Sequence, residues 1–320
     1  MTRASSPEPG KPVAVIDVGS NTIKLLVVEL SSLGDLLVLH ERSDATRIES
    51  QISADGLALT EGGMVAGLKA IARLLEESQS YKPVIVRIVA TSLIRDSVNG
   101  KLFAKRVREV IGYELDVISG EEEAVAIALG VGTDSSLFNH SNYLVCDLGG
   151  GSLELVRVEG RTVRATVSLP LGAVRLSRRF VSNARLAFVQ SEMDTIVAYV
   201  HQILSSSGFP FPSSPSLMVV TGGAITTARA VFAEANKTPF DKYSLLSSSD
   251  LLGFLEESAS LTIGQRVERF PPLSMERADI IPTALLVMLT LLKHVNSSEV
   301  FHSMRNLRFG LAAKLLDLAR

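Results

Sequence analysis

Two short stretches of the chain carry an aspartate, a glycine-rich turn and a hydroxyl in the same order. The first is IDVGSNT at residues 16–22, and the second is CDLGGGS at residues 146–152. A shift of 130 residues lays Asp17 on Asp147, Gly19 on Gly149 and Thr22 on Ser152. Turns rich in small residues let a backbone approach an anion closely, and their successive N–H groups form anion-binding concavities. Gly19, Ser20 and Asn21, with Gly149, Gly150, Gly151 and Ser152, are therefore the expected phosphate cradle. An aspartate just inside each turn repels a bare phosphate, so Asp17 and Asp147 make more sense as ligands for a metal or a metal-bound water. Glu154 lies two residues past Ser152 on a strand, shares its face and joins the set. Hard oxygen ligands completed by phosphate oxygens suit Mg²⁺ or another divalent cation. A third turn, TGGAITTA at residues 221–228, sets Gly222 and Gly223 between a strand and a helix, where backbone amides can receive a phosphate.

Such residues need a scaffold that presents turns at strand ends. Residues 13–30 and 143–160 each read as a buried apolar strand, a turn and an alternating strand, so one hairpin is used twice. After the first come a strand with a polar end carrying Arg42 and Arg47, a helix over 64–81 that stops before Pro83, and a β-branched strand over 84–92. A helix over 101–111 and a short strand follow, which indicates a mixed α/β sheet. Ser119 and Glu122 have the spacing of a capping box at the next helix start. The second half repeats the plan. Its hairpin runs on into a Pro-Gly turn and a basic helix start, then a helix over 186–205, a strand–turn–helix over 216–231 and a helix over 246–260. A buried helix begins near Pro282, and a strand, a basic turn and a helix close the chain. The expected division is into α/β domains at 1–122 and 123–303, with the helix at 304–320 packing back on the first. Two facing hairpins would clamp a phosphate chain between the domains.

Composition narrows the partners. A net charge of −2 on 320 residues exerts no global pull on a polyanion, so nucleic acid is not expected and any phosphate polymer needs a local basic patch. One cysteine, Cys146 in an apolar strand, excludes a disulfide framework and thiolate zinc sites and fits a reducing compartment. The five histidines have no metal-ligand spacing. Residues 1–12 are polar and Pro-rich, unlike a signal peptide. The apolar run at 280–292 is too short to span a bilayer. A cytoplasmic protein without a membrane partner is expected.

Seven motifs in order, IDVGSN, ATSLIRDSVN, ISGEEEA, DLGGGSLE, SLPLGAVRL, TGGAITTA and ERADIIP, resemble the exopolyphosphatase / guanosine pentaphosphate phosphohydrolase (Ppx/GppA) family. The similarity runs over residues 13–316. It implies the actin–hexokinase–chaperone ATPase (ribonuclease H-like) fold, two similar α/β domains with a cleft between them. It also implies that Glu121, within SGEEEA, is the catalytic base, and that Arg95 and Arg277 are cleft arginines that neutralise phosphate charge. The implied activity is Mg²⁺-assisted release of terminal phosphate from inorganic polyphosphate. Hydrolysis of guanosine pentaphosphate is the close rival. A kinase of the same fold and a silent polyphosphate or alarmone sensor are further readings, and a homodimer is compatible with all of them. The chain departs from the family at Ala224, at Lys24 and in the turn at 304–310, which bears on substrate choice. It resembles the short, two-domain members.

The same residues have plainer readings. Glu121, Glu122 and Glu123 fit as complements to a helix dipole. Asp17 and Asp147 fit as residues bonding their own turns, and the glycines as simple hairpin turns. Arg175, Arg178, Arg179, Arg305 and Arg308 fit a channel for a long polyanion or a solvated basic face.

Overall fold

The computed structural model describes residues 10–48, 58–212 and 217–317, and these fold as two compact units. In the first, β1 (Val13–Val18), β2 (Ile23–Leu30) and β3 (Leu36–Asp44) are followed by α1 (Glu61–Gln79), β4 (Ile85–Ala90), α2 (Ser92–Asp96), α3 (Gly100–Ile111), β5 (Leu115–Val117) and α4 (Gly120–Gly132). Its sheet has the order β3-β2-β1-β4-β5. β1 is antiparallel to β2 and parallel to β4. β1 is apolar except at Asp17, which is the pattern of a central strand covered on both faces. The core of this unit gathers Ile16, Leu25, Ile71, Leu74, Ile88 and Phe103.

The second unit repeats the arrangement. It comprises β6 (Tyr143–Leu148), β7 (Leu153–Glu159), β8 (Thr162–Leu169), α5 (Ala173–Phe180), α6 (Gln190–Ser206), β9 (Leu217–Thr221), α7 (Gly223–Ala235), β10 (Leu245–Ser247), α8 (Ser248–Ser260), α9 (Ile263–Arg269), α10 (Met275–Ala278), α11 (Ile281–His294) and β11 (Glu299–His302). The sheet order is β10-β11-β9-β6-β7-β8. β6 is antiparallel to β7 and parallel to β9, as β1 is to β2 and β4. The duplication reaches a fine detail. The β2–β3 ladder shifts register between Val27 and Val28, and the β7–β8 ladder shifts between Arg157 and Val158, the equivalent positions. Helix α11 is buried along most of its length, with Pro282 in its first turn, where a missing N–H costs nothing.

The chain then returns to the first unit with α12 (Leu307–Leu315). The first unit therefore holds the residues up to Ser135 and those from Arg305 onward, and the second is Ser136–Met304. The boundary expected at 122/123 falls inside α4; the structure draws it after that helix. The reason is packing: α4 and α12 meet at Gly130 and Gly310, each glycine lying against backbone of the other helix region. No described helix is long and apolar enough to cross a membrane.

Candidate phosphate-binding site

The glycine turn of the second unit is held from behind. Its ends close through Gly149 N–H to the Ser152 carbonyl at 3.0 Å. The first turn of α5 then takes up its carbonyls. Ala173 N–H donates to Gly149 at 3.0 Å, while Val174 and Arg175 N–H donate to Gly150 at 2.9 and 3.0 Å. Arg175 Nε donates to the Gly151 carbonyl at 2.7 Å. No described residue accepts from the amides of Gly150 and Gly151. With the acceptors occupied and the donors left over, the turn is polarised as an anion site. Gly172 makes this possible, because a methyl there would collide with the backbone of Gly150 and Gly151. Gly172 was not among the expected site residues, and Arg175 was expected only in a channel or a solvated basic face, although both lie in the quoted SLPLGAVRL stretch.

Asp147 and the Gly222–Gly223 turn come together on the neighbouring strand ends. β6 pairs with β9 so that Asp147 stands beside Thr221. Gly222 adopts φ +106°, and a side chain there would lie 2.5 Å from the Leu148 carbonyl and 3.0 Å from Asp147 Oδ1. Arg277, from α10, rests on the same turn: a methyl at Gly223 would fall inside its guanidinium. Burial pulls the Arg277 pKa below the usual arginine value, partly offset by Glu276. Glu154 is the cross-strand partner of Asp147 and is 2% exposed, and its Oε1 accepts from Ser168 Oγ at 2.7 Å. Burial raises the Cys146 thiol pKa well above its usual value, and the charges of Asp147 and Glu154 raise it further, so this cysteine is an inert core residue.

Like charges directly opposite across a ladder destabilise it unless something joins them. Mg²⁺ is commonly held by one or two carboxylates plus substrate phosphates, so Asp147 and Glu154 fit that ion. Among the described residues no three His, Cys, Asp or Glu side chains form a metal-ready cluster. Asp147 and Glu154 belong to the second unit, and Asp17 belongs to the first.

The hairpin of the first unit has the same backbone and different charges. Gly19 N–H donates to the Thr22 carbonyl at 3.2 Å, Ser20 and Asn21 are buried, and Arg47 N–H donates to the Asn21 carbonyl at 2.9 Å. Asp17 faces Lys24, which occupies the position that Glu154 holds in the other copy. Asp17 Oδ1 is buried without a hydrogen-bond partner. Burial raises the Asp17 pKa above its usual value, and Lys24 and Arg308 offset part of that rise.

Helix α4 sorts three successive glutamates. Ser119 Oγ accepts the Glu122 N–H at 3.1 Å and Glu122 Oε2 accepts the Ser119 N–H at 2.8 Å, the reciprocal capping box. The backbone bond from Ser119 is the first cause holding the Glu122 carboxyl below its usual range. Glu123 is buried and accepts from Arg95 Nη1 at 3.0 Å, and the same nitrogen donates to the Ile118 carbonyl at 3.0 Å. Glu121 is exposed, and no described residue bonds to its carboxylate. Arg95 thus braces the loop and first turn that carry Glu121. The expected run of five channel arginines is not a uniform surface. Arg308 is buried and donates to the Leu25 carbonyl at 2.8 Å and to Glu41 at 3.0 Å, Arg305 lies over Phe309, and Arg179 lies over Tyr199.

The model of the Ppx/GppA phosphatase family matches residues 26–319. Guanosine-5'-triphosphate,3'-diphosphate pyrophosphatases of Vibrio atlanticus (strain LGP32) and Vibrio vulnificus (strain YJ016) are 24% and 25% identical over 306 and 313 residues. The matches cover 95% and 96% of this chain but 59% and 60% of the relatives, so the chain spans about three fifths of their length. Among solved structures, the Aquifex aeolicus Ppx/GppA family member superposes with a TM-score of 0.79 at 25% identity, covering 97% of this chain and 99% of that one. An exopolyphosphatase from Cytophaga hutchinsonii ATCC 33406 gives 0.83 at 20% identity, with the same coverage. The two mixed sheets are those of the actin-like ATPase fold, as the residues led us to expect.

Proposed function

The chain belongs to the Ppx/GppA phosphatase family, and from that premise we propose that it hydrolyses a terminal phosphoanhydride, with inorganic polyphosphate as substrate. The observation that carries this reading is the Gly149–Ser152 turn, whose carbonyls are tied to α5 and whose Gly150 and Gly151 amides are free to receive phosphate oxygens. Cleaving such a bond needs a positioned water, a base and positive charge over the equatorial oxygens. Glu121 is proposed as the base because it is the one glutamate of its trio left exposed and unengaged by described residues. It takes a proton as the water oxygen bonds to the terminal phosphorus. The bridging P–O bond breaks, its electrons leave with the shortened chain, and orthophosphate is released. Arg277, seated on the Gly222–Gly223 turn, supplies fixed positive charge to the phosphates. Arg95 is assigned a share of that charge, alongside its brace to Glu123. Asp147 and Glu154 are the proposed Mg²⁺ residues of the second unit, and Asp17 is the carboxylate proposed for metal binding in the first. The ion would neutralise charge on the transferred phosphoryl group.

A second reading, guanosine pentaphosphate as substrate, is favoured by the names of the curated Vibrio relatives. Phosphate release measured side by side from polyphosphate, guanosine pentaphosphate and ATP separates the alternatives. Turnover of polyphosphate above the other two supports the proposal. Preference for guanosine pentaphosphate replaces it with the second reading. Turnover of ATP alone, or no release from any of the three, overturns both.

A further inference from the structure

On that reading of the Gly222–Gly223 turn, we propose that His302 is a positioning residue, locked as the Nε2–H tautomer, that fixes the turn through Thr226. His302 ends β11 and is 1% exposed. Its Nδ1 lies 3.2 Å from Arg229 Nη1 and its Nε2 lies 3.1 Å from Thr226 Oγ1. Thr226 Oγ1 in turn reaches the Gly222 carbonyl at 3.0 Å. Arg229 is itself fixed. Its Nε and Nη2 fork onto the Phe240 carbonyl at 3.0 and 2.7 Å, and its guanidinium lies 4.2 Å from the Phe240 ring centroid.

The direction of every bond follows from the arginine. A guanidinium has donors and no acceptor, so Nδ1 must accept and carries no proton. A buried ring bare at Nδ1 is neutral and holds its proton on Nε2, which donates to Thr226 Oγ1. The hydroxyl proton of Thr226 is then committed to the Gly222 carbonyl. A relay of fixed polarity therefore runs from Arg229 through His302 and Thr226 to a residue at φ +106°, where an added side chain would meet Asp147 Oδ1 at 3.0 Å. The Gly222 carbonyl also accepts the Thr226 N–H at 3.1 Å, and the hydroxyl adds a side-chain bond of set polarity to the same oxygen. The adjoining Gly223 carries the Arg277 guanidinium, so a shift of the turn moves both the proposed metal-side carboxylate and the proposed phosphate-side arginine.

Nitrogen-15 NMR of the full labelled chain tests the relay without reference to activity. His302, assigned by loss of its signals in His302→Gln, is expected to show a protonated Nε2 and a bare Nδ1 at neutral pH. Thr226→Val removes the hydroxyl at a partly exposed site with little change of volume. It should displace the Gly222 and Gly223 amide resonances and lower kcat by about tenfold, with a smaller change in KM. Thr226→Ser, which keeps the hydroxyl, should restore both. A His302 ring protonated on Nδ1, or unmoved Gly222 and Gly223 resonances in Thr226→Val, overturns the proposal. Should the wild type release no phosphate, the function reading fails while the spectra still decide the relay.

Discussion

At the scale of single residues, three adjacent glutamates open α4 and meet three different fates. Glu122 caps the helix, Glu123 is buried against Arg95, and Glu121 stays exposed. Glu121→Gln should therefore cut phosphate release by about 10²- to 10⁴-fold, the usual contribution of a general base, and leave the melting temperature where it was. Retention of most of the wild-type kcat would remove Glu121 from the reaction. The capping box was legible in the S-x-x-E spacing; the Glu123–Arg95 pair was not, because its partners are 28 residues apart in sequence. Asp17 makes the opposite trade. Its pKa is raised by burial above the usual 3.8, so the folded state binds its proton more tightly than the unfolded chain does. The cost of ionising it is absent below the ordinary carboxylate pKa, grows as pH rises from there to the raised folded value, and is constant above that. Asp17→Asn should then melt higher than wild type at neutral pH, and the gap should close on acidification, while activity falls. Equal melting temperatures for the two proteins at neutral pH would show that burial of this carboxylate costs no stability.

At the scale of elements, the repeated strand–turn–strand pattern was readable because its period and glycines are local. What the turns are tied to was not readable, since α5 returns to the Gly149–Ser152 turn and α10 to the Gly222–Gly223 turn through tertiary packing. Arg277 illustrates the difference: its motif marked it, but its seat on Gly223 is 54 residues away in sequence. That seat gives a prediction in which folding and function separate. Gly223 opens α7 with an ordinary helical backbone, so alanine is compatible with the helix. Its methyl would occupy the space of the Arg277 guanidinium, the mobile end of a long side chain, which can move aside. Gly223→Ala should thus fold with nearly native stability, while misplacing a phosphate-side charge costs about 10²-fold in kcat/KM. Gly223→Ala with wild-type kinetics would show that the arginine is not needed where it sits. Gly222→Ala differs in kind, because its positive φ and the Leu148 carbonyl at 2.5 Å oppose any side chain.

At the scale of the whole chain, the first unit is assembled from both ends of the sequence. Residues up to Ser135 make its sheet and most of its helices, and α12 completes it after 169 residues of the second unit, Ser136–Met304, have intervened. The expectation that the last helix joins the first domain came from reading a helix beyond the second unit; the placement of α4 wholly in the first unit did not, because only the α12 contact shows where α4 belongs. That contact is backbone against backbone. A methyl at Gly310 would fall onto the Ala126 carbonyl, and one at Gly130 onto the Asn306 carbonyl. Neither carbonyl can step aside as a side chain can, so the helices must separate. Overpacking of this kind costs about 1–3 kcal/mol. In a chain of this size each kcal/mol lowers the melting temperature by roughly 2–4 °C or less. Gly310→Ala should therefore lower stability through the first unit, whose core around Ile16, Leu25 and Phe103 is distinct from that around Leu155, Val220 and Leu285. Amide exchange should accelerate across β1, β2, α4 and α12 before it changes in β6, β9 and α11. Uniform acceleration across the described strands of both sheets would show that the two cores open as one cooperative body. Unchanged exchange in α4 and α12 would show that the glycine contact does not hold the unit closed.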